Sequence, residues 1–443
     1  MYKKCKIKLK EMYFLILPNQ LFDIKYLDKS FNYIIWECPH YFKAYNYNKK
    51  KLLLHRASMQ YYYDYLRKNR LNVTYCEFNK HLDENQQYTL FNPLNKAEIL
   101  DLPKNVTIYD KPSPNLLLSS ADIEEYHKKT KKFFFNAFYM WSKKRLNIIP
   151  NIKSQDKNNR LRLNKAIKIK QPFVSSSTNK YITEAKEYIH KHFKTNYGNT
   201  DNFIFPITHK EANKWLDHFI KYKFSNFGTY QDFIDNSNPY LYHSLLSSLI
   251  NIGLINPQDI ISKIAKYKGK IPMNSYEGFI RQLFWREYQY YCYTYYDFKN
   301  KNYFNNQKRL DDSWYKGNTG IKPIDDAIKD AFESGYLHHI RRLMVIGNYM
   351  NLCEINPKDG FKWFMDFSCD SYEWVMHQNV YDMVFFVSGG ATMRRPYMSS
   401  SNYILKMSNY KKEDWCDIWD STYRKFVQNH KTKLWKFRYY VRI

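Results

Sequence analysis

The sequence lacks any closely spaced pair of cysteines. Its seven (Cys5, Cys38, Cys76, Cys292, Cys353, Cys369 and Cys416) are scattered with no Cys-x-x-Cys, which argues against a zinc finger or an iron–sulfur cluster. Their odd number, with no signal peptide ahead of them, points to a reducing compartment inside the cell, cytoplasm or nucleus. No run of 18 apolar residues is present, so a soluble chain without a membrane-spanning helix is expected. No lipidation motif or polybasic amphipathic segment stands out either, so a membrane is not the expected partner. The Gly-x-Gly-x-x-Gly turn is missing after the first apolar run, where Leu17-Pro18-Asn19-Gln20-Leu21 stands instead. That disfavours a dinucleotide held in the usual glycine turn. Internal repeats and low-complexity segments are absent.

Acids are scarce as well. Against 70 Lys and Arg there are 42 Asp and Glu, a net charge of +28. Such an excess selects an anionic partner, and a polyphosphate fits it best. Aromatic residues reach 19%, with 43 Tyr, and their rings suit base stacking or the walls around a planar cofactor. With 44% hydrophobic residues over 443 positions, the chain can build two or three domains with real cores.

Short apolar runs, Met12 to Pro18, Tyr33 to Trp36, Val73 to Phe78 and Val106 to Tyr109, alternate with helical spacing over Lys50 to Asn69. This predicts an α/β domain with a parallel, Rossmann-like sheet over residues 1–135. Residues 143–170 hold ten Lys or Arg against one acid, Asp156. They predict a basic surface linker, placed at 136–180, with a break near Pro172-Phe173-Val174-Ser175. From about 181 to 443 strand signals nearly vanish. Helices are predicted over Thr183–His192, Lys210–Lys223, Asp259–Lys268, Ser275–Phe298 and Asp325–Ser334, an all-α domain.

The chemistry gathers between Ser334 and Met407, where His338-His339, Arg342, Asp370 and Arg394-Arg395 follow one another among aromatics. His243-Ser244-Leu245-Leu246-Ser247 could offer hydroxyls and backbone N–H groups to a phosphate at a helix start. Gln282 and Arg286 stand four apart and would share a helix face. His338 and His339 would share one with Arg342, and a histidine is the natural general acid near neutral pH.

At Trp314-x-x-Gly317-x-Thr319-Gly320-x-x-x-x-Asp325, followed by Gly335-x-x-His338, Arg342 and Asp370, the chain resembles the flavin domain of the cryptochrome/photolyase family. The His338-His339 pair, the Asp370-x-x-Glu373-Trp374 segment and Arg395-Pro396-Tyr397-Met398-Ser399-Ser400-Ser401-Asn402-Tyr403 are similar to its photolyase-related branch, which includes bacterial-type (6-4) photolyases. Leu53-Leu54-His55-Arg56-Ala57-Ser58-Met59 and Leu17-Pro18-Asn19-Gln20-Leu21 are similar to the same branch, so the likeness extends over nearly the whole chain. It implies FAD bound in the helical domain. Ser244, Leu246 and Ser247 would meet its phosphates, Gln282, Trp285 and Arg286 would line the cleft, and Arg342 with Asp370 would lie beside the ring. It further implies light-driven repair of pyrimidine photoproducts in ultraviolet-damaged DNA, the (6-4) product preferred, with His338 or His339 as general acid. Trp314, Trp363 and Trp374 would carry electrons. Arg394, Arg395, Tyr397, Ser400 and Asn402 would meet the DNA backbone while the lesion is flipped out. A monomer is expected.

Three departures qualify the likeness. Pro323 stands where bacterial relatives place the first cysteine of an iron–sulfur cluster, and after Tyr410 only Cys416 remains, so no cluster is expected. Met376 replaces a polar side chain near the flavin, and a thioether cannot relay a proton. Relatives may carry an antenna lumazine or folate in the first domain, for which Glu37 and the loop at Pro39 are the candidate contacts. A cryptochrome-like photoreceptor without repair activity, and a cofactor-free basic nucleic-acid-binding protein, are the alternatives.

Overall fold

The structure is a computed structural model that describes residues 12–163, 169–170 and 179–441. The expected break at Pro172 lies outside them. Five strands, β1 (Tyr13–Ile16), β2 (Asn32–Trp36), β3 (Val73–Cys76), β4 (Tyr88–Leu90) and β5 (Val106–Ile108), form a sheet in the order β3-β2-β1-β4-β5. Every pairing is parallel, with Tyr13 opposite Asn32 and Tyr88, Tyr33 opposite Val73, and Tyr88 opposite Val106. The central strand is buried almost throughout and β5 at the edge is mostly exposed, as expected for a parallel sheet covered on both faces only at its centre. β4, with only three residues and too little alternation, is not among the strands expected from the sequence.

The strand order reverses at β1, so the ends of β1 and β4 open a crevice at the switch point. Its own side chains fill it. Gln20 Nε2 donates to the Phe91 carbonyl at 2.8 Å and Asn19 Nδ2 to that of Pro93 at 3.0 Å. The turn that lacks glycines is thereby closed by amides.

From Asn179 onward the described residues form helices and loops, with two isolated bridges. The α/β domain and the helical domain thus both form. The Met273–Tyr295 helix is buried on nearly all sides, which marks it as the core helix of the second domain. Its buried Glu277 accepts from Tyr139 Oη at 2.7 Å and from the Gln155 amide at 3.0 Å. The segment expected as a linker therefore starts inside the Phe135–Arg145 helix and is anchored to this core helix. Lys143 there is buried, with its ammonium on the Ile152 carbonyl.

The two domains share one apolar core running from Phe14 to Val441. The Lys49–Lys68 helix, capped by Asn48, joins them. Its start docks on the helical domain through Asn48 N to the Asp366 carbonyl at 2.6 Å and Asn48 Nδ2 to that of Phe332 at 2.8 Å. Lys51 reaches the Ser371 carbonyl, and His55 Nε2 meets Tyr372 Oη at 2.8 Å. Farther along, Arg56 joins the buried Glu37 at 2.9 Å and the more exposed Glu184 at 2.6 Å. Among the described residues no helix is long and apolar enough to cross a membrane.

Removing one partner of a buried ion pair strands the other charge at a cost of about 3–5 kcal/mol. Arg56→Met should therefore lower the unfolding free energy by about that amount in urea titrations, and adding Glu37→Leu should restore part of it. An Arg56→Met protein as stable as the parent would contradict this account of the interdomain side of the sheet.

Candidate functional site

The Lys322–Ser334 helix opens at Lys322-Pro323 and ends at Gly335 in a left-handed conformation (φ 67°), where a Cβ would come within 2.6 Å of Cys369 Sγ. Only glycine permits both the turn and that approach. The turn delivers Tyr336 to Arg342 into the centre of the helical domain. There the backbone runs as a wide π-helical segment over Arg341–Gly347, and a second such segment spans His377–Val384. Wide turns of this kind often occur at functional sites.

Arg342 Nη1 meets Asp370 Oδ1 at 2.8 Å, and its Nε donates to the Leu337 carbonyl at 2.6 Å. The carboxylate also accepts from Ser368 Oγ at 2.5 Å and from Ser247 Oγ at 2.6 Å. Burial pushes its titration up, but the guanidinium and the two hydroxyls outweigh that and hold Asp370 below the usual carboxylate range. Three segments far apart in sequence thus converge on one anion.

Arg286 is joined to the loop of Asp370 through Asn251. Its Nε donates to Asn251 Oδ1 at 3.0 Å, its Nη1 reaches the Asn115 carbonyl, and its guanidinium covers the Trp374 ring at 4.6 Å. Asn251 in turn donates to the Asp370 carbonyl at 2.8 Å. Arg286 Nη2 is buried without a partner, and desolvation pulls the guanidinium down to about 10. Gln282 does not share its surroundings. It is exposed and reaches Gln231 Oε1 at 3.4 Å, while Trp285, half-buried, stacks on Phe135 at 3.6 Å.

The two histidines separate too. His338 is buried, neither ring nitrogen has a partner, and its ring lies parallel to that of His243 at 4.5 Å. His339 is exposed at its surface, in contrast to its neighbour. Desolvation and the nearby Arg342 and Arg281 charges push its imidazole down to about 4. His338 is held well below the usual histidine range, by desolvation first and then by His243 and Arg341. Both rings thus favour the neutral form at pH 7.

Ser244, Leu246 and Ser247 precede or open a helix of five residues, Ser247–Asn251. Leu245 is held at φ 58°, strain that a functional loop can retain. The Ser244 hydroxyl accepts from the Leu246 amide at 3.4 Å and its carbonyl from Trp215 Nε1 at 2.9 Å. Beside this loop stands Lys223, absent from the sequence-based expectations. It is buried, its ammonium reaches only the His243 carbonyl at 3.5 Å, and desolvation alone pulls it down to about 8. His243, Lys223 and Asn251 are the residues that sequence reasoning missed. His243 opens the motif that was noticed, but no local pattern singles out Lys223.

Met376 is buried at the end of a short helix, immediately before the second wide segment. Gln378 nearby has its Oε1 buried and unpartnered. Trp363 donates to the Trp314 carbonyl at 2.7 Å and packs on Phe367, whose ring lies under Arg342 at 5.3 Å. Trp374 sits apart from these two, against Arg286. Arg394 and Asn402 are exposed and Arg395, Tyr397 and Ser400 are half-buried on one stretch of surface. Glu37 departs from its expected role. Its oxygens accept from Arg56, Tyr75 Oη at 2.6 Å, Tyr188 Oη at 2.8 Å and the Phe78 amide at 3.2 Å. With four donors already on it, this carboxylate does not fit a chromophore contact.

Residues 14–101 and 96–205 match the family of deoxyribodipyrimidine photo-lyase-related proteins, and 279–435 match the FAD binding domain of DNA photolyase. The chain belongs to the photolyase-related family. It is 37% identical over 236 residues to a (6-4) photolyase of Agrobacterium fabrum, 52% of this chain but only 46% of that protein's length. A deoxyribodipyrimidine photo-lyase of Buchnera aphidicola is 24% identical over 73% of this chain and 68% of its own. An uncharacterised protein of Acanthamoeba polyphaga mimivirus is 53% identical over 20% of this chain and 74% of its own. Among solved structures, a bacterial class III photolyase from Agrobacterium tumefaciens superposes with a TM-score of 0.57 at 16% identity, covering 96% of this chain and 88% of that one.

The site's loose ends fit a flavin nucleotide. Lys223 lacks a counter-charge beside hydroxyls suited to phosphates, and Arg286 Nη2 and His338 have hydrogen bonds still to make. This environment carries a pH signature. His243 is pulled down to about 4, chiefly by desolvation. From about pH 6.5 down to 4 the unfolded chain binds a proton that the folded chain refuses, so stability is complete above that window and falls within it. His243→Gln should flatten the decline of melting temperature between pH 6.5 and 4; an unchanged slope would show that His243 is not desolvated as described.

Proposed function

We propose that the chain is an FAD-dependent enzyme that uses light to repair pyrimidine photoproducts in ultraviolet-damaged DNA, with the (6-4) photoproduct preferred. One observation carries the reading. His339, exposed, stands three residues from the Arg342 of an Arg342–Asp370 pair inside the segment that matches the FAD binding domain of DNA photolyase.

Bound FAD would supply the absorbing group and the electron. Lys223, Ser244, Leu246 and Ser247 would hold its phosphates, and Arg286 and Met376 would line the cleft, with Trp285 and the exposed Gln282 on its outer side. Arg342, fixed by Asp370, would set positive potential beside the ring. Because His338 is sealed against His243 while His339 is accessible, His339 is the better placed of the two to hold and release a proton on its imidazole, and His338 positions it. A phosphate or another anion brought beside the two rings would raise their affinity for a proton. Trp363, linked to the site through Phe367, and Trp314 behind it supply an electron route, with Trp374 a separate neighbour of Arg286. Arg394, Arg395, Tyr397, Ser400 and Asn402 would engage the DNA backbone. An antenna lumazine or folate, if carried, would have to be held by residues other than Glu37.

A flavin photoreceptor without repair is the second reading, favoured by the buried thioether of Met376 and the two neutral imidazoles. Illuminating the reduced, FAD-loaded protein with an oligonucleotide carrying one (6-4) photoproduct decides between them. Repair requires recovery of the intact bases, and His339→Ala should slow it at least 100-fold while flavin content stays the same. No recovery of either the (6-4) product or a cyclobutane dimer would sink the repair reading. Independently, Lys223→Met should reduce bound flavin at least tenfold and Lys223→Arg should retain it; equal flavin in all three proteins would remove Lys223 from the phosphate site.

A further inference from the structure

Beyond the surface at Arg394 to Asn402, the described part of the chain closes with an exposed set of rings. Trp435, Tyr439 and Tyr440 are 56%, 84% and 60% exposed. After Asp420 the sequence contains no acid, while Arg424, Lys425, Lys431, Lys433, Lys436 and Arg438 all fall in this stretch.

The rings are seated on a firm base. Leu434, Phe437 and Val441 are buried beneath them, and the Tyr440 and Val441 amides close the turn on the Phe437 carbonyl at 2.8 and 3.0 Å. Lys436 Nζ donates to the Gly389 carbonyl at 3.0 Å and Lys433 Nζ to that of Tyr303 at 2.7 Å. The Arg438 guanidinium lies 5.0 Å from the Trp435 ring and 4.7 Å from that of Tyr439, and Arg395 lies 4.5 Å from the Tyr440 ring. Cations are thus fixed next to aromatic faces that remain largely in water. Exposed rings at this density need a reason in a chain that buries most of its aromatics.

We infer that Trp435, Tyr439 and Tyr440 form a stacking platform for unpaired bases of a single-stranded stretch of DNA, with the surrounding Lys and Arg holding its phosphates. The inference rests on the reading that DNA is the partner. Charge and ring type both favour this occupant. The positive field, which Glu354 answers only at Asn429 and His430 among the described residues, suits a phosphate chain, and aromatic faces with neighbouring guanidinium groups suit bases of any identity. Paired duplex hides its base faces, so the rings discriminate in favour of unpaired strands. Arg395 joins this platform to the surface proposed for the backbone, so a strand opened near a flipped lesion could run from one to the other.

The test uses undamaged DNA in the dark, so it stands whether or not the protein repairs lesions. Binding of the full chain to a 12-nucleotide oligothymidine and to a paired duplex of equal length is followed by fluorescence anisotropy. Replacing all three rings, Trp435→Ser with Tyr439→Ser and Tyr440→Ser, should weaken binding to the single strand at least tenfold and to the duplex less than twofold. Flavin content and the salt dependence should stay unchanged. Lys433→Gln with Arg438→Gln should instead reduce the salt dependence for both DNAs. Equal losses on both DNAs, or no loss on the single strand, would overturn the proposal. So would a ring-dependent affinity for vesicles containing anionic lipid in place of the oligonucleotide, or a wild-type dimer that the three replacements dissociate.

Discussion

A desolvated carboxylate governs the centre of this molecule. Asp370 cannot remain charged in the protein interior unless donors surround it, and Arg342, Ser247 and Ser368 do so. Each donor arrives on a different segment, so satisfying the charge fixes the relative positions of those segments. Asn251 extends the arrangement to Arg286. Polar geometry of this kind, rather than apolar packing, sets the spacing across the site, because an ionic centre tolerates few alternative arrangements.

The α/β domain props that centre from outside. The start of the Lys49–Lys68 helix sits on the loop that holds Asp370, with Lys51 on the Ser371 carbonyl and His55 on Tyr372. Lys51 is fully desolvated and pulled down to about 7, a costly arrangement for a residue whose only role is to fill space. The sheet, by contrast, keeps its crevice for itself: Asn19 and Gln20 close it, and four donors around Glu37 complete a buried ionic cluster.

Much of this was legible in the chain. The parallel sheet and the helical second half follow from apolar runs giving way to helical spacing, and the Arg342–Asp370 contact agrees with the order of motifs around Gly335. Local pattern could not report distant contacts. Gln282 and Arg286, four apart, were expected on one face, yet one is exposed and the other buried because Asn115 and Asn251 draw Arg286 inward. The His338-His339 pair looks symmetrical in sequence, but His243, nearly a hundred residues earlier, seals only the first. Lys223 became visible only when burial showed that no carboxylate answers its charge. The basic stretch at 143–170 looked like a solvated linker because composition does not reveal that Glu277 lies beneath its neighbours.

The central claim is that these unanswered donors are the protein side of a flavin site. The most direct measurement is the flavin released on denaturing the protein after purification in the presence of FAD, quantified by absorbance against chain concentration. The account predicts about one FAD per chain, resistant to gel filtration. A chain that emerges folded and without flavin would contradict it.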